Sequence, residues 1–262
     1  MRAMTVAGPL ALLAGVLLLA EPAAAKKCKD DAAQVGGVCV DKYEASVWEI
    51  APANTKVIKK VQKSKITAEA DLTGATQRGA SSDDYGAGCP DTANGCKDFY
   101  AVSIASVTPS AFVTWFQAAA ACRNAGKRLA TNQEWQMAAL GTPDPGTDNG
   151  TTDCNVGSAG TALDTGARSG CVSDTGNFDM VGNLMEWVAD WGDRATGCTN
   201  WDATYGTDTS CVGGSGSVNL PGALRRGGSL GGGSNAGVFA VYGTSIPFEA
   251  SIFGGFRCAR DL

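Results

Sequence analysis

Hydrophobic and polar positions alternate over residues 38–45, Val-Cys-Val-Asp-Lys-Tyr-Glu-Ala, a pattern that predicts a strand. Residues 50–98 lose that order. They are polar and lysine-bearing, then rich in Gly, Ser and Asp, and they predict an extended surface insertion (about 46–100) with at most one hairpin. Helical spacing returns after Thr108-Pro109, a capping residue before a first-turn proline. Phe112, Trp115, Phe116, Ala119, Ala120 and Arg123 would share that helix, and Gly126 would stop it. Thr131-Asn132-Gln133-Glu134 has the form of a capping box opening a second, short helix. Trp135, Ala138 and Ala139 would be its buried face, and Gly141 its end. Beyond Thr142 the chain reads as loops with short strand-like runs such as 238–242, and no internal repeat or domain boundary interrupts it.

The first residues differ in kind. Arg2, an apolar run from Leu10 to Leu19, and Ala23-Ala24-Ala25 predict a cleaved secretory signal over 1–25. The run is too short to span a bilayer, so no stable membrane insertion is expected after cleavage. A single domain over 26–262, placed in the periplasm, at the cell surface or outside the cell, is the expectation. The net charge of −5 and the absence of a long basic stretch argue against a nucleic-acid partner. The lysines at 56, 59, 60, 63 and 65 read as a solvated face. Ten cysteines in an exported chain predict disulfides. Close spacing suggests Cys28–Cys39, Cys89–Cys96, Cys154–Cys171 and Cys198–Cys211, although many pairings stay open by counting. Cys122 and Cys258 then remain.

Chemistry-bearing residues gather in ordered motifs. Residues 122–135 read Cys-Arg-Asn-Ala-Gly-Lys-Arg-Leu-Ala-Thr-Asn-Gln-Glu-Trp. Asp179-Met180-Val181-Gly182-Asn183-Leu184-Met185-Glu186-Trp187, Arg226-Gly227-Gly228-Ser229 and Gly255-Phe256-Arg257-Cys258 follow. In this order the four motifs resemble the formylglycine-generating enzyme (sulfatase-modifying factor) family. The resemblance implies an α+β, C-type-lectin-like fold with little regular structure, and a Cys122–Cys258 disulfide. It also implies calcium held by Asp179, Val181, Asn183 and Glu186, whose mixed oxygen donors on a turn suit that ion. The competing reading is a turn in which Asn183 caps a helix beginning near Glu186. Of a second family calcium site, only Asn155-Val156 matches. Trp187 and Trp191, four apart, read as core neighbours.

The catalytic members of the family oxidise a substrate cysteine with a copper-binding cysteine pair, and those positions fall on Gly232 and Gly237. Glycine has no ligand side chain, so neither copper nor iron is expected. The chain has no histidine, which removes the iron-binding branch of the superfamily and every histidine-dependent triad. Ser229 has no evident base. What remains is the Gly- and Ser-rich, aromatic-spiked stretch 230–254, which in this fold faces the ligand. It makes Ser229, Gly232, Gly237, Tyr242, Phe248 and Glu249 candidate binding residues, although Phe239, Tyr242, Phe248 and Phe253 fit a partly buried role as well. The leading expectation is a non-catalytic, calcium-stabilised module for a protein or glycan ligand. The alternatives are an oxidoreductase acting on a sulfur-containing substrate and a structural envelope protein.

Overall fold

The two ends of the described chain share one sheet. The computed structural model describes residues 27–157, 159–201, 206–212 and 220–262, so the predicted signal over 1–25 lies outside the described residues. Strand Ala32–Val35 pairs antiparallel with Val38–Asp41. The other edge of Val38–Asp41 pairs with the last strand, Cys258–Asp261, with Val40 opposite Ala259. Arg128–Leu129 completes this sheet. Of the alternating run at 38–45, only the first half is strand; from Lys42 the chain leaves the ladder.

A second sheet runs in the order Gly254–Phe256, Met185–Asp193, Pro221–Arg226, Val241–Tyr242, Thr209–Cys211, Thr199–Asn200. Its long strand Met185–Asp193 replaces the helix that the Asn183 cap would have started. A spacing of four is shared by both periodicities, since residues i and i+4 also lie on one face of a strand. Trp187 is buried, whereas Trp191, expected in the core, is 42% exposed.

Three α-helices occur among the described residues: α1 (Thr55–Gln62), α2 (Trp115–Asn124) and α3 (Asn132–Ala139). The capping box of α3 forms as predicted, with Thr131 Oγ1 accepting from Glu134 N at 3.2 Å and Glu134 Oε2 accepting from Thr131 N at 2.9 Å. Trp135, Ala138 and Ala139 are its buried face. The start of α2 differs from the Thr108-Pro109 signal. Backbone amides of Ser110, Ala111 and Phe112 donate instead to the carbonyls of Ala45, Gly79 and Ser251, which holds this stretch out of a helix. Helix formation waits for a second capping box, Thr114 with Gln117.

The insertion is more than a surface excursion. Ser46–Ile50 pairs with Ala75–Arg78 on one side and Phe99–Val102 on the other. Val57 and Val61, one turn apart on α1, meet Trp48, Ile50, Ile66 and Leu72 in a buried cluster of their own. Elsewhere Trp135 packs with Val40, Met180, Val188 and Ala259, joining the first sheet to the second. Trp187, Phe256, Val113 and the Cys122–Cys258 pair join the second sheet to α2.

All ten cysteines pair: Cys28–Cys39, Cys89–Cys96, Cys122–Cys258, Cys154–Cys171 and Cys198–Cys211. These are the four local pairs from spacing and the long one from the resemblance. Cys122–Cys258 closes a span of 136 residues and Cys89–Cys96 one of 7. In the chain-entropy picture these are worth about 5 and about 2 kcal/mol. Replacing Cys122 and Cys258 together by Ala should therefore lower the melting temperature more than the same replacement at Cys89 and Cys96. Calorimetry on the two double variants checks the ranking.

Candidate functional site

The strand Pro221–Arg226 ends in two arginines that point to opposite faces of the second sheet. The Arg225 guanidinium lies over the Trp187 ring at 4.7 Å, and that of Arg226 over Trp135 at 4.8 Å. Beyond them, Gly227 and Gly228 take positive φ of 86° and 77°. A Cβ on Gly228 would stand 2.4 Å from Ala236, so only glycine lets the following turn fold back here.

That turn carries Ser229, Gly232 and Gly237. The Ser229 carbonyl accepts from Gly232 N at 2.8 Å, and a short 3-10 turn follows at Gly233–Asn235. The space beside both candidate glycines is filled. A Cβ on Gly232 would meet the Ala236 Cβ at 2.9 Å. A Cβ on Gly237 would stand 2.1 Å from Asp208 Oδ1 and 2.3 Å from Asp144 Oδ2. Two carboxyl groups from distant loops thus occupy the place where a side chain at 237 would begin. Asp208 Oδ2 accepts from Phe239 N at 2.7 Å. The two carboxyls crowd one small space, where like charges side by side oppose ionisation of both. Burial, with Asp144 beside it, pushes Asp208 up to about 6 against the opposing pull of its backbone donors and Arg226. Neither aspartate stood out in the sequence. Both lie in Gly- and Asp-rich loops, and only the fold brings them together.

Tyr242, Phe248 and Glu249 lie on the Arg225 side. Tyr242 pairs in register with Arg225 and is half-buried. Glu249 accepts from Arg225 Nη2 at 2.5 Å. Phe248 is 49% exposed, and its ring packs on Phe116 at 4.9 Å. Phe116 in turn meets Trp191 at 5.7 Å, and Trp191 meets Trp115 edge-on at 4.9 Å. The indole of Trp115 donates to Val188 O at 2.8 Å, fixing the stack to the sheet. A continuous aromatic surface results, of which sequence reasoning had assigned only Phe248 to binding. The candidate residues therefore divide into two groups, one at the aspartate pair and one at the aromatic surface.

The motif expected to hold calcium is a buried charge cluster. Glu186 accepts from Arg257 Nε at 2.6 Å and Nη2 at 2.5 Å, and from Trp135 Nε1 at 2.8 Å. Asn183 Oδ1 accepts from Asn155 Nδ2 at 3.0 Å and Leu163 N at 2.9 Å, while its amide donates to Glu44 Oε2. Asp179 Oδ2 accepts from Gly166 N at 2.7 Å. Val181 is buried beside Cys154, Cys171 and Ala236. The four predicted ligands are neighbours, yet both Glu186 oxygens, the Asn183 side-chain oxygen and one Asp179 oxygen accept from protein donors. As arranged, this set fits calcium poorly. Glycines at 232 and 237, with every cysteine in a disulfide, equally do not fit thiolate-bound copper. Burial, reinforced by neighbouring carboxylates, pushes Glu44 well up, and burial pushes Asp179 up to about 6.

Asp208, Asp179 and Asp41, each raised to about 6 chiefly by burial, hold protons that the unfolded chain releases near pH 4. Their shared contribution to stability is complete below that value and is lost as pH rises through 6. Denaturant unfolding at pH 5 and pH 7.5 should show the folded state weaker at the higher pH. Asp208→Asn keeps an acceptor for Phe239 N without a titrating group, so it should narrow the difference. An unchanged difference would count against a raised carboxyl at Asp208.

Comparison with known proteins agrees with the motifs. Residues 36–262 match the family model described as "Sulfatase-modifying factor enzyme 1-like domain". Over 174 residues the chain is 30% identical to a formylglycine-generating enzyme of Thermomonospora curvata, covering 58% of this chain and 55% of that one. The corresponding enzyme of Streptomyces coelicolor is 29% identical over the same length, covering 58% and 52%. The chain thus spans about half the length of the curated relatives it matches. Among solved structures, the Major Tropism Determinant P3c variant is similar over 88% of this chain and 52% of its own, with 21% identity and a TM-score of 0.48. CarF is similar over 86% of both chains, with 15% identity and a TM-score of 0.43. The architecture is C-type-lectin-like, and the chain belongs to the sulfatase-modifying factor enzyme 1-like family.

Proposed function

We propose that this domain is an exported, non-catalytic member of its family that binds a protein ligand on the surface formed by Trp191, Phe116 and Phe248. The observation that carries the reading is the exposure of that aromatic stack. Trp191 and Phe248, with Ile252 and Phe253 nearby in sequence, are all at least 40% exposed. Large apolar side chains left together in water mark interaction sites more often than chance, and aromatic residues dominate the energetics of such sites. A protein is favoured over a glycan because the exposed side chains are apolar, whereas a sugar needs convergent hydrogen-bonding groups. Five disulfides support export, since such bonds persist in oxidising compartments.

The absence of catalysis is inferred from the filled space at Gly232 and Gly237. A thiol at 237 would need Asp144 and Asp208 to leave, so the space a side chain would take there is already filled. An oxidase acting on a sulfur-containing substrate would need its redox centre from outside the chain.

Selection of a phage-displayed random peptide library on the immobilised domain tests the reading. Phe248→Ala and Trp191→Ala should each weaken the selected peptides by at least about tenfold, in keeping with aromatic hot spots. Both should leave the melting temperature nearly unchanged. Selected peptides that bind both variants as tightly as the parent would sink the proposal. The reading assigns no structural role to calcium, because Arg257 supplies the countercharge at Glu186. A chelator should leave the melting temperature in place. A fall that added calcium reverses would restore the metal.

A further inference from the structure

Arg225 is the feature that the aromatic surface alone does not explain. It is 3% exposed, and burial pushes its guanidinium below its ordinary pKa. Nη2 donates to Glu249 and to Ser245 Oγ. Nε and Nη1 have no hydrogen-bond partner among the described residues. A buried cation is tolerated when its donors are met, and each buried donor left unmet costs about 1–3 kcal/mol. Arg257, equally buried, shows the contrast. Its Nε, Nη1 and Nη2 all donate, to Glu186 and to the carbonyls of Asp41, Lys42 and Phe178. Buried donors with no partner call for a specific reason, and a ligand is one.

The surroundings say which ligand. The partner that Arg225 does have, Glu249, is itself 38% exposed at the side chain. It contacts one nitrogen of a group built to grip a carboxylate with two. The wall beside Nη1 is Gly254, where even a Cβ would come within 3.0 Å. Next to Glu249 in the chain is Phe248, at the edge of the aromatic surface. In the sheet, Arg225 stands opposite Trp187, and Ala223 stands opposite Trp191, so the buried charge and the exposed ring lie along the same pair of strands. The Ser251 hydroxyl, a further polar group in this segment, already accepts from Phe253 N at 3.2 Å.

We propose that a carboxylate of the protein ligand displaces Glu249 and binds Arg225 through two N–H groups, while neighbouring apolar side chains of the same ligand rest on Phe248, Phe116 and Trp191. Glu249 is then an internal stand-in that keeps the arginine neutralised until a ligand arrives. The inference rests on the aromatic surface being the docking site, and it narrows the partner to an apolar segment bearing Asp, Glu or a free C-terminus.

Peptides taken from the random library, synthesised with each carboxylate intact or replaced by its amide, separate the two ideas. The acid forms should bind at least tenfold more tightly than the amides. Glu249→Gln, which removes the competitor, should tighten the acid forms several-fold and leave the amides within about twofold. Arg225→Gln should abolish the preference. Should it fail to fold, as its melting curve would show, the Glu249→Gln comparison decides alone. Equal binding of acid and amide, or no gain in Glu249→Gln, overturns the carboxylate while a loss in Phe248→Ala keeps the docking surface. Binding of glucuronate oligosaccharides with no peptide binding overturns the protein partner. The absence of any binder defeats both.

Discussion

The structure hangs on one guanidinium, that of Arg257. Both it and its partner Glu186 are 1% exposed. Around it meet a carboxylate from the second sheet, carbonyls of Asp41 and Lys42 at the end of the first, and that of Phe178 from the loop between them. The α3 residue Trp135 donates to the same carboxylate. Long irregular stretches have no ladder to place them, so a multi-donor ion fixed at the centre takes over that role. Breaking such a pair by removing one partner costs about 3–5 kcal/mol, because the other charge is stranded. Two further carboxylates, Glu44 and Asp179, crowd the same space, and there burial favours their protonated forms. The motif that looks like a metal site in one dimension is, in three, arranged around a protein cation.

From that centre the strand Pro221–Arg226 carries two more arginines outward, each laid on a tryptophan. Arg226 faces the aspartate pair, which closes the space beside Gly237. Arg225 binds Glu249, the chain neighbour of Phe248 on the aromatic surface. The alternation of a single strand therefore divides the site into a sealed half and an accessible half. The sealed half holds Gly232 and Gly237, and the accessible half is assembled from α2, the long strand and the loop after Tyr242.

The sequence was readable where local rules and tertiary demands agree. The α3 capping box, its buried tryptophan and the short disulfide spans were of this kind. It misled where distant partners claim backbone groups. The Thr108-Pro109 cap lost to hydrogen bonds donated to the carbonyls of Ala45, Gly79 and Ser251, none of which is near in sequence. Trp187 and Trp191 were ambiguous because a spacing of four serves helix and strand alike. The lysine-rich insertion hid two valines whose one-turn spacing founds a second core. At the candidate site, Phe248 and Glu249 were legible as an aromatic and an acid in a loop. Asp144, Asp208 and the roles of Arg225 and Phe116 were not, since each depends on a contact between segments separated in the chain.

The Cys122–Cys258 bond has a mechanical meaning. Tension applied between the two ends of the described chain enters at the first sheet, where Val38–Asp41 and Cys258–Asp261 lie side by side. The last strand begins at Cys258, so peeling it from the C-terminus reaches a covalent stop after a few residues. The load then crosses to Cys122 and runs through the N-terminal half. Residues 123–257 sit in a bypassed loop that such a pull cannot extend. Every element of the site except Trp115 and Phe116 lies within it. A module anchored at one end and pulled at the other would keep its arginines, its aspartate pair and most of its aromatic face unstretched while the insertion around α1 yields.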